Sequence, residues 1–181
     1  MLLEPAIKNM SSRKVFSASP ESRLEPAIDK RIRQLCAEGY RCFDEGEQEQ
    51  ALRRFYQAWT LIPKPQTQYE ISGWVLTAIG DAYFAKCNFS AGIEALRSAL
   101  FCPKTAGNPF VHLRLGQCHL ESHNDEEADR HLARALYSGG SELFDREAEH
   151  YLSRARTALQ RLQGDSQSAE VIFLGGDWLP A

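Results

Sequence analysis

The chain has 181 residues and a mass of 20.4 kDa, is 43% hydrophobic and 25% charged, and carries a formal net charge of −3. That size suits one folded domain with tails, the apolar fraction can fill a core, and the weak negative charge provides no global field for nucleic acid. There is no apolar run near the ~20 residues of a membrane span and no basic-then-apolar start typical of a secretory signal; five cysteines without paired-ligand spacing suit a reducing compartment. The expectation is a cytoplasmic protein that binds neither membrane nor nucleic acid.

Residues 1–22 carry Ser11, Ser12, Ser17, Ser19, Pro20 and Ser22 with little periodicity and read as a flexible N-terminal tail. Inside it Leu3-Glu4-Pro5-Ala6-Ile7 recurs as Leu24-Glu25-Pro26-Ala27-Ile28, and the second copy is expected to open the first helix with Pro26 in its first turn. Apolar periodicity then predicts helices over 26–45, 48–62, 68–86, 89–102, 109–122, 125–138 and 142–163. Pro63 and Pro103 stop the second and fourth, Asn108-Pro109 starts the fifth, and Gly139 ends the sixth. The last helix, with Leu143, Phe144, Tyr151, Leu152, Leu159 and Leu162, reads as a terminal cap. Residues 164–181 form a C-terminal tail whose Val171-Ile172-Phe173-Leu174 run and Trp178 could cover an apolar groove in cis.

Internal repetition organises these helices. Gly39, Gly80 and Gly116 are each followed twelve residues later by Ala51, Gly92 and Ala128, sixteen later by Phe55, Leu96 and Leu132, and nineteen later by Ala58, Ala99 and Ala135. All four columns shift together by 41 and then 36 residues, a period that marks stacked supersecondary units. Small residues let two antiparallel helices approach, and the large apolar column fills the groove between them.

These residues resemble the tetratricopeptide repeat signature. The first match runs through Leu35, Gly39, Ala51, Phe55, Ala58 and Pro63; the second through Leu76, Ile79, Gly80, Tyr83, Gly92, Leu96 and Ala99; the third through Leu115, Gly116, Ala128, Leu132 and Ala135. Glu38, Cys42 and His119 depart from the signature, and Gly92 in place of Ala should weaken its helix by ~1 kcal/mol. The resemblance implies an all-α, right-handed superhelical stack of three helix hairpins, with units at about 32–65, 73–106 and 109–142 within a domain of 23–163, closed by the capping helix at about 142–163.

It also implies a concave groove lined by the first helix of each unit. By register the groove residues are Arg33, Tyr40 and Phe43 in unit one, Trp74, Thr77, Asp81 and Phe84 in unit two, and Phe110, Leu113, Arg114 and Gln117 in unit three. Aromatic-rich surfaces of this kind favour a protein partner. The Lys, Arg and Asn clamp that holds chaperone carboxylates in this family is not matched, since Cys36 and Tyr40 stand at two of its positions and Asp81 would repel a carboxylate. A narrower similarity, through Trp74, Ile79-Gly80-Asp81-Ala82-Tyr83-Phe84 and Gly107-Asn108-Pro109-Phe110, is to small bacterial repeat proteins encoded beside polymorphic toxins or secreted effectors. It implies an immunity protein or effector adaptor; a translocator chaperone of type III secretion is the alternative, and self-association through the groove is another use of the same surface.

Charge and chemistry complete the reading. Acidic turns at Asp44, Glu45, Glu47 and Glu49 and at Glu121, Asp125, Glu126, Glu127 and Asp129 predict an acidic edge, either solvated or steering a basic partner. His112, His119 and His123 are spaced to share a face of the fifth helix, but His112 and His119 fall on packing columns, so no metal is expected. No phosphate loop and no nucleophile elbow occurs. The expectation is a binding protein with neither catalytic residues nor cofactor, against the less favoured option of a metal- or thiol-dependent enzyme.

Overall fold

The computed structural model describes residues 23–164. The first Leu-Glu-Pro-Ala-Ile copy and the Val171–Trp178 segment lie outside the described residues, as do both expected tails apart from Gly164. Seven α-helices follow in order: α1 (Pro26–Asp44), α2 (Gln48–Leu61), α3 (Glu70–Ala85), α4 (Phe89–Leu100), α5 (Pro109–Glu121), α6 (Asp125–Gly139) and α7 (Glu149–Gly164). Short 3-10 turns at Gln66–Gln68 and Ser141–Phe144 precede α3 and α7, and no strand occurs among the described residues. None of these helices is long and apolar enough to cross a membrane. All five cysteines are free thiols.

Helix starts follow local chemistry. The side chains of Asn88, Asn108 and Asn124 accept hydrogen bonds from the backbone N–H groups of Ala91, Phe110 and Glu127, capping α4, α5 and α6. Pro26 and Pro109 occupy the first turns of α1 and α5, where a missing N–H costs nothing.

Helices pack in pairs, α1 on α2, α3 on α4 and α5 on α6, while α2 meets α3, α4 meets α5, and α7 covers α6. α3 also touches both α1 and α5. Within each pair the glycine column meets the large apolar column. A Cβ at Gly39 would lie 2.4 Å from the Phe55 ring, one at Gly80 2.4 Å from Leu96 Cγ, and one at Gly116 2.7 Å from Leu132 Cγ and 2.9 Å from the Leu132 backbone nitrogen. Real Cβ atoms do not approach so closely, so the helix axes are as near as they are because these positions lack a side chain. The Ala51, Ala58, Ala99, Ala128 and Ala135 positions are fully buried. Gly92 has a packing reason of its own: a Cβ there would sit 3.1 Å from Cys118 Sγ on α5.

The turns inside the pairs repeat too. Gly46, Cys87 and His123, each seven residues after a column glycine, adopt left-handed φ of 79°, 56° and 60°. The next N–H in each turn returns to the carbonyl five residues earlier, Glu47 to Cys42, Asn88 to Tyr83 and Asn124 to His119, at 2.8, 2.9 and 2.9 Å. This is the Schellman closure of a helix end, imposed three times in one register. His123 is thus an exposed turn residue and does not share the face of His112 and His119, contrary to the spacing argument.

The last predicted helix is interrupted. Instead of one helix over 142–163 there is a 3-10 turn ending at Phe144, a break, and a helix starting at Glu149. The break turns Glu147 inward onto Arg114 of α5, an ion pair that a continuous helix would not be required to make. Phe144, Tyr151 and Ala155 still pack against Leu113, Leu132 and Ala135, so the segment covers the end of the core.

Gly116→Ala is expected to lower unfolding free energy by about 1–3 kcal/mol, overpacking outweighing the ~1 kcal/mol gain in helix propensity. Gly107→Ala, where nothing lies within 4 Å of the new Cβ, should change it little. Urea titration of the two variants checks the contrast.

Candidate partner-binding face

Trp74 is the centre of the face. It sits on α3, between α1 and the start of α5, and 37% of its surface is exposed. Tyr40 of α1 stacks against it with ring centroids 6.1 Å apart, and Tyr40 in turn meets Phe55 edge-on at 5.2 Å. The tryptophan is therefore braced by an aromatic relay from the core. Burial pushes the Tyr40 phenol up to about 12, so it stays neutral.

Two hollows flank Trp74. One, of about 670 Å³, runs toward the start of α1 and is lined by Leu24, Pro26, Arg33, Tyr69 and Ile71 among others. The other, of about 300 Å³, runs toward α5 and is lined by Tyr40, Thr77, Thr105 and Phe110 among others. Arg33 is exposed and bonds Asp29 on its own helix at 2.8 Å. Four of the residues expected in a groove, Arg33, Tyr40, Trp74 and Phe110, thus gather around one aromatic centre. Thr77 also reaches the smaller hollow but is buried and donates its hydroxyl to the Gly73 carbonyl at 2.6 Å.

The other expected residues are placed differently. Phe43 packs, half-buried, against the first core cluster. Leu113 and Gln117 are fully buried, so neither side chain presents a surface to a partner in this structure. Asp81, Arg114 and Gln117, whose types also suit hydrogen bonds between helices, form an internal polar cluster with Glu147, the one member that sequence reasoning missed. Arg114 donates to Asp81 at 2.5 Å, to Gln117 Oε1 at 2.7 Å and to Glu147 at 2.7 Å, while Gln117 Nε2 donates to the other Glu147 oxygen at 2.8 Å. Phe84 and Phe110 lie 4.8 and 5.0 Å from the guanidinium carbon, so the cation also lies against two aromatic rings. Burial raises the Asp81 carboxyl above its ordinary value, against the pull of Arg114. The turn before α7 therefore fills the unit-three end of the expected groove, and the charge of Arg114 is already met.

Much of the acidic edge is likewise satisfied internally. Glu49 pairs with Lys86 at 2.8 Å, and Glu126 and Glu127 pair with Arg130. Asp129 is buried and held by Arg154 and Arg161 of α7. Glu121 accepts from the Tyr151 hydroxyl at 2.7 Å.

The buried histidines make a second cluster across α5 and α6. Nδ1 of His112 lies 2.9 Å from Nδ1 of His131, Nε2 of His112 lies 2.9 Å from the Ala106 carbonyl oxygen, and the rings of His119 and His131 stack at 5.7 Å. Burial lowers all three below the ordinary imidazole value, His112 to about 4, His119 and His131 in the same direction. Burial also pushes the thiols of Cys36 and Cys118 up to about 12, which keeps them protonated and poorly nucleophilic. No protein-family profile matches the chain, and no curated protein matches it.

Two predictions follow from these clusters. Arg114→Met leaves the largely enclosed Asp81 and Glu147 carboxylates without their cation and should cost about 3 kcal/mol, whereas the triple change Asp81→Asn, Arg114→Met, Glu147→Gln should recover most of it; chemical denaturation measures both. For the histidines, the unfolded chain takes up protons near pH 6.5 and the folded chain only well below it, so stability is fully present above about 6.5 and falls as pH drops toward 4. Urea unfolding at a series of pH values should show that fall beginning near 6.5, and a flat profile to pH 5 would contradict it.

Proposed function

We propose that this protein is a binding module of tetratricopeptide type: three helix hairpins stacked in a right-handed superhelix, capped by α7, whose Trp74 face grips another protein. The observation that carries the reading is the half-exposed Trp74, stacked on Tyr40 and set between two hollows. A large aromatic held rigid at the surface gives up little conformational freedom on binding, and such residues dominate interface energies. The recurring glycine contacts and the threefold turn geometry support the hairpin stack.

In this reading a partner side chain enters the larger hollow beside Leu24, Tyr69 and Ile71, and its neighbour packs on Trp74. Arg33 at the rim orients an acidic group of the partner. The polar cluster of Arg114 shapes the far wall and does not ligate the partner, because its donors are committed to Asp81, Gln117 and Glu147. The partner class is the one implied by the narrower resemblance, a toxin or secreted effector met in a bacterial cytoplasm, and the protein acts by binding, without catalysis.

The test is recovery of partner from the source cell by wild type, Trp74→Ala and Phe101→Ala. Phe101 is 48% exposed and lines neither hollow, so it controls for loss of any surface aromatic. Loss of a central Trp should weaken binding by at least ~2 kcal/mol, about thirtyfold, while Phe101→Ala binds as wild type. Equal recovery by a folded Trp74→Ala protein would contradict the proposal.

A further inference from the structure

We propose that His119, Glu127 and His131 form a zinc-binding site that clips α5 to α6. One ring nitrogen of each histidine and one oxygen of Glu127 all lie within 4.8 Å of one another. Two histidines and a glutamate are a donor set that zinc accepts, with a fourth position left for water.

Three further observations favour a ligand there. His119 is more than nine-tenths buried, and its Nδ1 has no hydrogen-bond partner among the described residues. A buried polar atom left without a partner is costly unless something else meets it. The tautomer of His131 follows from its neighbour: His112 donates from Nε2 to the Ala106 carbonyl and so accepts at Nδ1, which makes His131 the Nδ1 donor. The deprotonated Nε2 of His131 then lies 3.9 Å from Glu127 Oε2. A metal-bound histidine is usually oriented by such a bond from its other ring nitrogen. Glu127 is oriented as well, because Arg130 holds Oε1 at 2.9 Å while Oε2 faces His131.

The geometry is close to what the ion requires. With bonds of ~2.0–2.2 Å in a tetrahedral site, donors stand roughly 3.4 Å apart, so separations of up to 4.8 Å must close by up to about 1.4 Å. Glu127 is partly exposed, which leaves its carboxylate room to approach the two imidazoles. Arg97 and Arg130 are the nearby cations that oppose the ion; Arg130 is already neutralised by Glu126 and Glu127. The site lies between α5 and α6 and is independent of the Trp74 face, so the two readings stand or fall separately.

The test uses the full chain, stripped with chelator and dialysed, with zinc chloride alone as the probe. Calorimetric titration should give one zinc per chain, with a rise in melting temperature, and cobalt in its place should give the visible absorption of a tetrahedral site. Glu127→Gln, at a partly exposed position, and His119→Gln should each weaken zinc at least tenfold; if His119→Gln does not fold, Glu127→Gln decides alone. Absence of binding by the folded wild type, or unchanged affinity in a folded variant of either residue, would overturn the site.

Discussion

Each helix pair rests on one contact, a glycine of the first helix against the large apolar side chain sixteen residues later on the second. The missing Cβ sets how closely the axes approach, and Phe55, Leu96 and Leu132 fill the space so made without exposure to water. The left-handed residue seven positions after the glycine then closes the helix end and leads the chain into the second helix. Both devices recur in register in the three pairs. α3 lies against both α1 and α5, and that placement puts Trp74 beside Tyr40 on one side and the start of α5 on the other.

The far end of the same face is governed by electrostatics. Arg114 gathers Asp81 from α3, Gln117 from its own helix and Glu147 from the turn before α7. An ion group this enclosed contributes little net stability compared with apolar packing, yet it tolerates few alternative arrangements. It ties α3 and α5 to the turn that precedes α7. The buried Asp129, held by two arginines of α7, pins the other side of that helix. One face is thereby divided: aromatic and hollowed near Trp74, polar and filled near Arg114.

The repeat was legible in the sequence because it depends on residue size at fixed spacing, and size survives in a bare list of residues. Gly39, Gly80 and Gly116 with Phe55, Leu96 and Leu132 announced the pairs, and Asn108-Pro109 announced α5. The turn column was less visible, since its three members are Gly46, Cys87 and His123 and share a conformation without sharing chemistry. Glu147 was hidden for a different reason. It lies in a stretch with no apolar period, and its partner Arg114 is 33 residues away; many other carboxylates could have served. The same limit applied to His131, which joined His112 and His119 from a different helix, whereas the spacing argument looked along one helix and chose His123. Periodicity reads a face of one helix well and says little about which polar residue comes across from the next.

The central claim, that glycine against a large side chain holds each pair at its observed separation, is tested most directly by a double-mutant cycle on Gly80 and Leu96. The three atoms nearest to a Cβ at Gly80, at 2.4, 2.8 and 3.1 Å, all belong to the Leu96 side chain beyond its own Cβ. Gly80→Ala and Leu96→Ala should each destabilise, and the double variant should be more stable than their sum by about 1–2 kcal/mol, because the second truncation makes room for the first. Strict additivity of the two losses would contradict the account.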